Sequence, residues 1–232
     1  LRATGGTNAL EEAAAAIVLP SNAVISDLTL ESRASSSHVI GIYLTTLGFL
    51  DRPAVIDNVF VNARGSSASL WNIGIYDAQG DAEIKDSIVE VQKTPALGLS
   101  QAGIYIYRSK TQMNNLDIKA QSTAAGNQYG VFVELLTFSE VPELRQSRVH
   151  ASYGSGIAKA IAVYNLGSSY HIRIKGSILN GRTDAIEGNA AISYSSLIGG
   201  LGPTGTQRCI ASDNAGSETS LAALGLNCLP IP

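Results

Sequence analysis

The segment Ala54-Val-Ile-Asp-Asn-Val-Phe-Val-Asn-Ala63 decides the fold, because closely similar segments recur along the chain. The next copy runs Ala82-Glu-Ile-Lys-Asp-Ser-Ile-Val-Glu-Val91. Each copy has an apolar residue, here called the anchor, that begins an alternating apolar pattern. The six anchors are spaced by 28 to 31 residues: Ile25, Ile56, Ile84, Met113, Leu144 and Ile174. A fixed period of this length is typical of repeat proteins, in which each copy stacks on its neighbours.

The pattern inside each copy predicts a sharp bend. Apolar or small residues occur three, five and seven places after the anchor, and the first step of three breaks the two-residue alternation of a strand. The residue two places after the anchor is polar or Gly in every copy: Asp27, Asn58, Asp86, Asn115, Gln146 and Gly176. Asn, Asp and Gly readily adopt left-handed backbone angles. Each copy is therefore predicted to form a short strand, a one-residue corner and a second strand.

A second motif keeps step with the first and predicts a third strand in each turn. Its copies are Gly41-Ile-Tyr43, Gly74-Ile-Tyr76, Gly103-Ile-Tyr105, Gly130-Val-Phe132 and Ala162-Val-Tyr164. Three short strands per turn of roughly 30 residues describe an all-β parallel β-helix of about six to seven turns. A barrel or sandwich fits less well because hairpin-turn signals between paired runs are missing. A doubly wound fold fails because no helices alternate with the strands.

The period divides the chain into three parts. Residues 1–19 are predicted to be an N-terminal helical cap, with a short helix from Asn8 to Ile17, or the remainder of a longer chain. Residues 20–189 hold the β-helix repeats, and residues 190–232 are expected to form a shortened last turn and a cysteine-bearing C-terminal cap. Because the chain starts without Met or a signal-peptide pattern, we expect a processed product or part of a longer protein.

Composition excludes several functional classes. The 232 residues are 45% hydrophobic and 15% charged, and 16 Lys and Arg stand against 19 Asp and Glu. This balance gives no basic surface for nucleic acid. No stretch approaches the roughly 18 uninterrupted apolar residues of a membrane span. Intrinsic disorder is also disfavoured at this hydrophobicity.

The sequence predicts neither catalytic residues nor a metal or cofactor site. The outward columns one and six places after the anchor mix acids and bases, with no acidic cluster on adjacent turns. The three histidines, at positions 38, 150 and 171, have no ligand-like spacing. Cys209 and Cys228 are predicted to form a loop-closing disulfide, with two half-buried free thiols as the alternative. A disulfide would indicate an oxidising, extracellular compartment.

An outward aromatic column is the best candidate for a binding site. Its predicted members are Tyr43, Tyr76, Tyr105, Phe132 and Tyr164. They are expected to stack about 4.8 Å apart. The glycines two places earlier are expected to point outward as well and to form a shallow groove beside the rings. Three interpretations stay open: a ladder that stabilises the sheet, a packing surface for a homotrimer or other self-assembly, and a glycan platform.

These repeated blocks, with the form Ile-x-Asn-x-x-Val-x-Ala followed by Gly-Ile-Tyr, resemble right-handed parallel β-helix repeat proteins of bacteria. Many of those are extracellular or tail-fibre-like chains without assigned activity. The resemblance, together with the general preference for right-handed parallel crossovers, implies a right-handed coil. Together with the low charge, the regular repeat and the lack of predicted catalytic residues, the resemblance favours a secreted or surface-attached structural or adhesive module that is not an enzyme. The alternatives are a carbohydrate-active β-helix, which binds or cleaves a polysaccharide, and a subunit of an extracellular filament.

Overall fold

The computed structural model describes thirteen stretches of the chain. They are residues 2–4, 14–20, 22–36, 38–45, 53–68, 71–93, 100–122, 126–134, 141–153, 159–167, 171–210, 212–217 and 220–224. Every regular element in these stretches is a β-strand. The strands are β1 Arg2–Thr4, β2 Ala14–Pro20, β3 Val24–Ser36, β4 Val39–Thr45, β5 Val55–Ala68, β6 Trp71–Ala78, β7 Glu83–Lys85, β8 Ile88–Lys93, β9 Ser100–Tyr107, β10 Gln112–Asn114, β11 Asp117–Ser122, β12 Gln128–Glu134, β13 Glu143–Arg145, β14 Arg148–Tyr153, β15 Ala160–Asn165, β16 Ile172–Lys175, β17 Ile178–Gly181, β18 Asp184–Glu187, β19 Ala190–Ser193, β20 Ser196–Ile198, β21 Gln207–Ile210, β22 Ser212–Ser217 and β23 Ser220–Leu224.

The strands stack turn upon turn in parallel register, which confirms the predicted all-β parallel β-helix. One sheet of 16 strands contains both arms of the repeated corner, and a second sheet of seven strands contains the Gly-Ile-Tyr motifs. Each anchor pairs with the anchor of the next turn, as Ile56 does with Ile84 and Ile84 with Met113. The anchor column continues beyond the predicted six through Ile192 and Cys209.

The last turns are shorter than the others. The anchor spacing falls from the regular 28 to 31 residues to 18 between Ile174 and Ile192, and to 17 between Ile192 and Cys209. The number of turns therefore differs slightly from the predicted six to seven. Beyond these turns, β22 pairs in parallel with β20 on one side and antiparallel with β23 on the other.

The predicted corner is confirmed in all six copies. Its residues have φ between 47° and 61°, in the left-handed region: Asp27, Asn58, Asp86, Asn115, Gln146 and Gly176. Two pairs of corner side chains on neighbouring turns are hydrogen-bonded, and in one of them the Nδ2 of Asn115 donates to Oδ1 of Asp86 at 2.6 Å. Asn58 donates to Asp27 in the same way. The corner thus combines a backbone requirement with a hydrogen-bonded side-chain ladder.

The interior of the coil is mainly aliphatic, but it includes a column of serines that the sequence analysis did not recognise. Anchors such as Ile84 and their partners five places later, such as Val89, are fully buried. Serines three places after the anchor also point inward, and Ser87 and Ser147 accept backbone N–H bonds from the preceding turn at 3.0 and 3.1 Å. Because both hydroxyls also donate to a carbonyl of their own turn, this buried column is satisfied.

The predicted N-terminal helix is wrong where the structure describes it. Ala14–Pro20 is the strand β2, and Ile17 of this strand lies in register with Ile42. Residues 8–13 lie outside the described residues. The alanine-rich sequence favours a helix by local propensity, but pairing with β4 decides the conformation. Within the described stretches there is no apolar helix long enough to cross a membrane.

Candidate functional site

The predicted aromatic column exists on the second sheet. Ring centroids lie 4.8 to 5.3 Å apart from each ring to the next. The strand register pairs the five residues directly in the order Tyr43, Tyr76, Tyr105, Phe132, Tyr164. Two further rings widen the column, since Trp71 lies against Tyr105 and Phe132, and Tyr129 lies against Phe132 and Tyr164.

The predicted outward glycine strip beside these rings is wrong. A Cβ added to Gly103 would lie 2.3 Å from Cγ2 of Ile118, a core side chain on the facing sheet. Gly74 and Gly130 meet core valines in the same way. Their positions face the interior, and Ala162, the fifth member, is part of the inner core. The glycines therefore permit close packing of the two sheets and form no groove.

The aromatic column is part of a second core on the outer side of the sheet. Tyr76 and Phe132 are only 9% and 7% exposed. The outward residues three places before the ring positions are buried with them: Ile40, Ile73, Ala102, Tyr129 and Ile161. Tyr43, Tyr105 and Tyr164 are half-buried. Of the interpretations left open by the sequence, this arrangement fits a stabilising ladder, with a rim of three partly accessible tyrosines.

Burial perturbs the tyrosine hydroxyls of this second core. Desolvation raises the pKa of Tyr129 to about 12. Desolvation also raises the pKa of Tyr76 and Tyr105 well above their usual range. The Tyr105 hydroxyl donates to Oε2 of Glu134 at 2.6 Å, which raises its pKa further. These hydroxyls stay protonated at neutral pH, and that of Tyr105 is a hydrogen-bond donor.

The C-terminal end of the aromatic column carries two carboxyl groups. Glu187 lies in register with Tyr164, and Asp184 lies in register with Ile161. Glu187 is 3% exposed and accepts from the Lys159 ammonium, 3.1 and 3.0 Å from its two oxygens. Burial, followed by the charge of Glu187, raises the pKa of Asp184. Glu187 is thus an ion-paired carboxylate, while Asp184 binds its proton more tightly than an ordinary Asp because its pKa is raised.

Asp77 is a buried carboxylate that the sequence analysis did not recognise. It accepts backbone N–H bonds from Gly80 and Ala82 at 2.7 and 3.2 Å. It also accepts from the hydroxyls of Ser109 and Thr111 at 2.8 and 2.7 Å. Desolvation raises its pKa, while the four hydrogen bonds oppose that shift. Because the carboxylate is saturated with donors and fully buried, it fixes the turn after β6 rather than meeting a ligand.

The outward charges of the first sheet form a partly exposed face, here called the solvated face, on which acids and bases of neighbouring turns pair. Lys85 lies 3.3 Å from Asp57 on the preceding turn, and Lys119 lies 3.3 Å from Glu90. No group of three or more potential metal ligands occurs among the residues that the structure describes. His38 is buried, and desolvation lowers its pKa.

A polar groove that the sequence analysis did not identify follows the corner. Its floor is formed by the corner residues Asp86, Asn115, Gln146 and Gly176. One wall is formed by the outward residues four places after the anchor, among them Ile88, Asp117, Arg148 and Ile178. This corner groove encloses about 410 Å³. A continuation of about 310 Å³ runs past Asn58 and Asp27. The polar residues and Gly at the corner position predicted the bend, but only the structure shows that its outer side is concave.

The disulfide between Cys209 and Cys228 remains a prediction. Cys209 is fully buried in the anchor column, in register with Ile192. Cys228 lies outside the described residues.

Comparison with known protein families, with characterised proteins and with solved structures finds no match. The resemblance to bacterial β-helix repeat proteins therefore depends on the repeated motifs and on the fold that they form.

Proposed function

We propose that the chain is a non-enzymatic structural or adhesive module of an extracellular surface or fibre. The observation that carries this proposal is the pair of cores on the two sides of the second sheet. Residues such as Ile104 pack inside the coil, and the adjacent Tyr105 packs in the outer aromatic core. In the turns from Tyr43 to Tyr164, side chains pack on both sides of this sheet, and such a coil is suited to hold a contact surface in a fixed orientation.

The energetics of the coil support a rigid role. Burying a Leu, Ile or Val side chain contributes roughly 1.5–3 kcal/mol before conformational entropy is subtracted. Each regular turn adds several such positions. Because each repeat contacts only its neighbours, this stabilisation repeats along the axis.

The proposed contact surface is the accessible rim of the aromatic column, formed by Tyr43, Tyr105 and Tyr164. Tyrosine offers an apolar face and a polar tip at low entropic cost, which suits receptor or glycan contact. The inward glycines remove the groove that the sequence predicted, so the rim is a shallow platform. A shallow platform favours adhesion over the enclosure that bond cleavage needs.

Ligand binding and product release together test this proposal. The purified chain is incubated with a panel of surface polysaccharides, and bound and newly released sugars are measured. We expect binding without release of reducing ends, and weaker binding by Tyr43→Ser and Tyr164→Ser. Tyr194→Ser is the matched control, because Tyr194 is 63% exposed and lies outside the column. Steady release of reducing ends would overturn the non-enzymatic assignment.

Extracellular placement is part of the proposal and depends on the predicted disulfide. Alkylation of the unfolded protein with and without a reductant, followed by mass spectrometry, counts the free thiols. We expect both cysteines to be alkylated only after reduction. Two alkylated thiols without reductant would remove the argument for an oxidising compartment.

A carbohydrate-active β-helix is the second candidate, favoured by Asp184 and Glu187. A carboxyl group with a raised pKa beside an ionised carboxylate is the pattern of an acid–base pair in sugar hydrolysis. Burial of Glu187 and its ion pair with Lys159 favour a structural role instead. Asp184→Asn distinguishes the two candidates: an enzyme would lose sugar release, while a structural module would keep its binding.

A further inference from the structure

The corner groove is bordered by a ridge whose side chains are not used by the proposed function. The ridge consists of the outward residues four places after the anchor. In register from turn to turn, its central members are Ile88, Asp117, Arg148 and Ile178. A ridge beside a groove of the same length is a self-complementary shape, because the ridge of one copy fits the groove of another when the two copies run antiparallel.

The order of side chains along the ridge is also self-complementary. A twofold axis between the Asp117 and Arg148 turns reverses the order Ile, Asp, Arg, Ile. It places Asp117 opposite Arg148 of a second copy and Ile88 opposite Ile178. Such an isologous arrangement forms each contact twice. Opposite charges and apolar side chains therefore match along four consecutive turns, whose ridge residues span about 14 Å at 4.8 Å between turns.

The exposed members of the ridge are suited to a protein partner. Ile88 and Ile178 are 41% and 40% exposed, two of the few large apolar side chains at the described surface. The Arg148 side chain is exposed and has neither an ion pair nor a hydrogen bond with another described residue. Two exposed isoleucines flanking a central charge pair form a small apolar patch with a polar middle, a pattern found at protein interfaces.

The floor of the groove matches the same arrangement. With the copies antiparallel, Ile88 of one copy lies above Gly176 of the other. Gly176 has no side chain, and a Cβ added there meets only Gln146 Cγ, at 3.8 Å. The Asp117 carboxylate, which lies 3.1 Å from the Lys119 ammonium of its own strand, faces the turn that carries Arg148. Among the residues that line the groove, the acidic Asp86 and Asp117 occupy one half and the basic Arg148 the other.

We propose that two copies of the chain associate through the corner groove as an antiparallel homodimer, with the twofold axis between the Asp117 and Arg148 turns. This surface lies on the first sheet, away from the aromatic rim. The dimer therefore presents two aromatic rims. The test of the dimer is independent of the test of glycan binding.

Charge reversal on the full chain tests the dimer. Solution mass is measured by light scattering and sedimentation over a range of concentrations at low salt. We expect twice the 24.2 kDa chain mass. Asp117→Arg and Arg148→Asp each place like charges opposite one another and should weaken the dimer at least about tenfold. The double variant restores opposite charges and should regain the dimer. Arg208→Asp, an exposed charge outside the groove, should have no effect.

Circular dichroism confirms that each variant is folded before its mass is interpreted. If a single variant does not fold, the salt dependence of the unmodified chain replaces it: the dimer should weaken between about 0.01 and 0.5 M salt as charges are screened. A monomer at every concentration, a trimer, or single variants that dimerise like the unmodified chain would each overturn the proposal.

Discussion

Two columns of conformationally permissive residues run along this coil, and they serve different purposes. At the corner, Asn115 and its equivalents adopt positive φ, so the residue type is required by the backbone. In the Gly-Ile-Tyr motif, Gly103 is not among the residues with positive φ. Its place is fixed by the close approach of Ile118 from the facing sheet. In the corner column, Gly therefore indicates a bend of the backbone. In the Gly-Ile-Tyr column, it indicates that there is no space for a side chain.

The largest expected effect is at the glycine column. Gly103→Val would drive methyl groups into Ile118 and the Gly130 carbonyl, so we expect a loss of about 3 kcal/mol or more, or failure to fold. Denaturant unfolding followed by circular dichroism measures this loss. Gly176→Ala is the control, because its Cβ meets only Gln146 Cγ at 3.8 Å and incurs only the left-handed backbone cost of about 1–2 kcal/mol. Equal losses in both variants would remove the distinction between the columns.

A smaller effect is expected at the corner itself. Asn115→Val places a β-branched residue at positive φ and removes the hydrogen bond to Asp86, so we expect a loss of about 2 kcal/mol in the free energy of unfolding. Asn115→Gly also removes the hydrogen bond but tolerates the backbone angle, so it should lose less. If the Gly variant is the less stable of the two, backbone conformation is not what selects Asn at this position.

The outer aromatic core should show an alkaline pH dependence. Tyr105 and Tyr76 have pKa values raised above the ordinary value near 10. The folded state therefore holds their protons more tightly, and this contribution is complete below pH 10 and falls as the pH rises further. Tyr105→Phe should lose about 1 kcal/mol at neutral pH with the bond to Glu134. Its stability should also decline less steeply above pH 10. If the unfolding free energy of Tyr105→Phe fell with pH as steeply as that of the unmodified chain, the raised pKa of Tyr105 would be contradicted.

The smallest effect is expected on the solvated face. Lys85→Gln breaks the pair with Asp57, in which both side chains are about one third exposed. Pairs of this kind contribute about 0–1 kcal/mol and are screened by salt. We expect a change within about 0.5 kcal/mol in thermal unfolding at physiological salt. A loss comparable to that of Gly103→Val would show that this column belongs to the structural core.

The features that recur in every turn could be predicted from the sequence. The prediction failed where the alternation of inward and outward side chains breaks and no characteristic residue type indicates the break. The corner was predictable because Asn, Asp and Gly at the same place report the backbone angle directly. The orientation of Gly103 was not, because the strand places two successive residues inward there and a side-chain period of two assigns the wrong face. The strand Ala14–Pro20 was mistaken for a helix because alanine propensity is weaker than pairing with β4.

The candidate site was only partly predictable for the same reason. The stacking of Tyr43, Tyr76 and their successors follows from the period. Their burial depends on a second layer that includes Ile40, Tyr129 and Trp71, whose outward direction the period did not assign. The corner groove arises from the concave outer side of the bend, a shape that no single residue encodes.

Hydroxyl-radical footprinting of the native chain, read out by mass spectrometry, tests most directly whether the aromatic column is a second core. Oxidation is compared among tyrosines of one protein, which removes differences between variants. We expect Tyr76 and Tyr129 to be strongly protected and the exposed Tyr194 to be oxidised readily, with Tyr43 and Tyr164 between them. Oxidation of Tyr76 as fast as that of Tyr194 would show an open groove and contradict the second core.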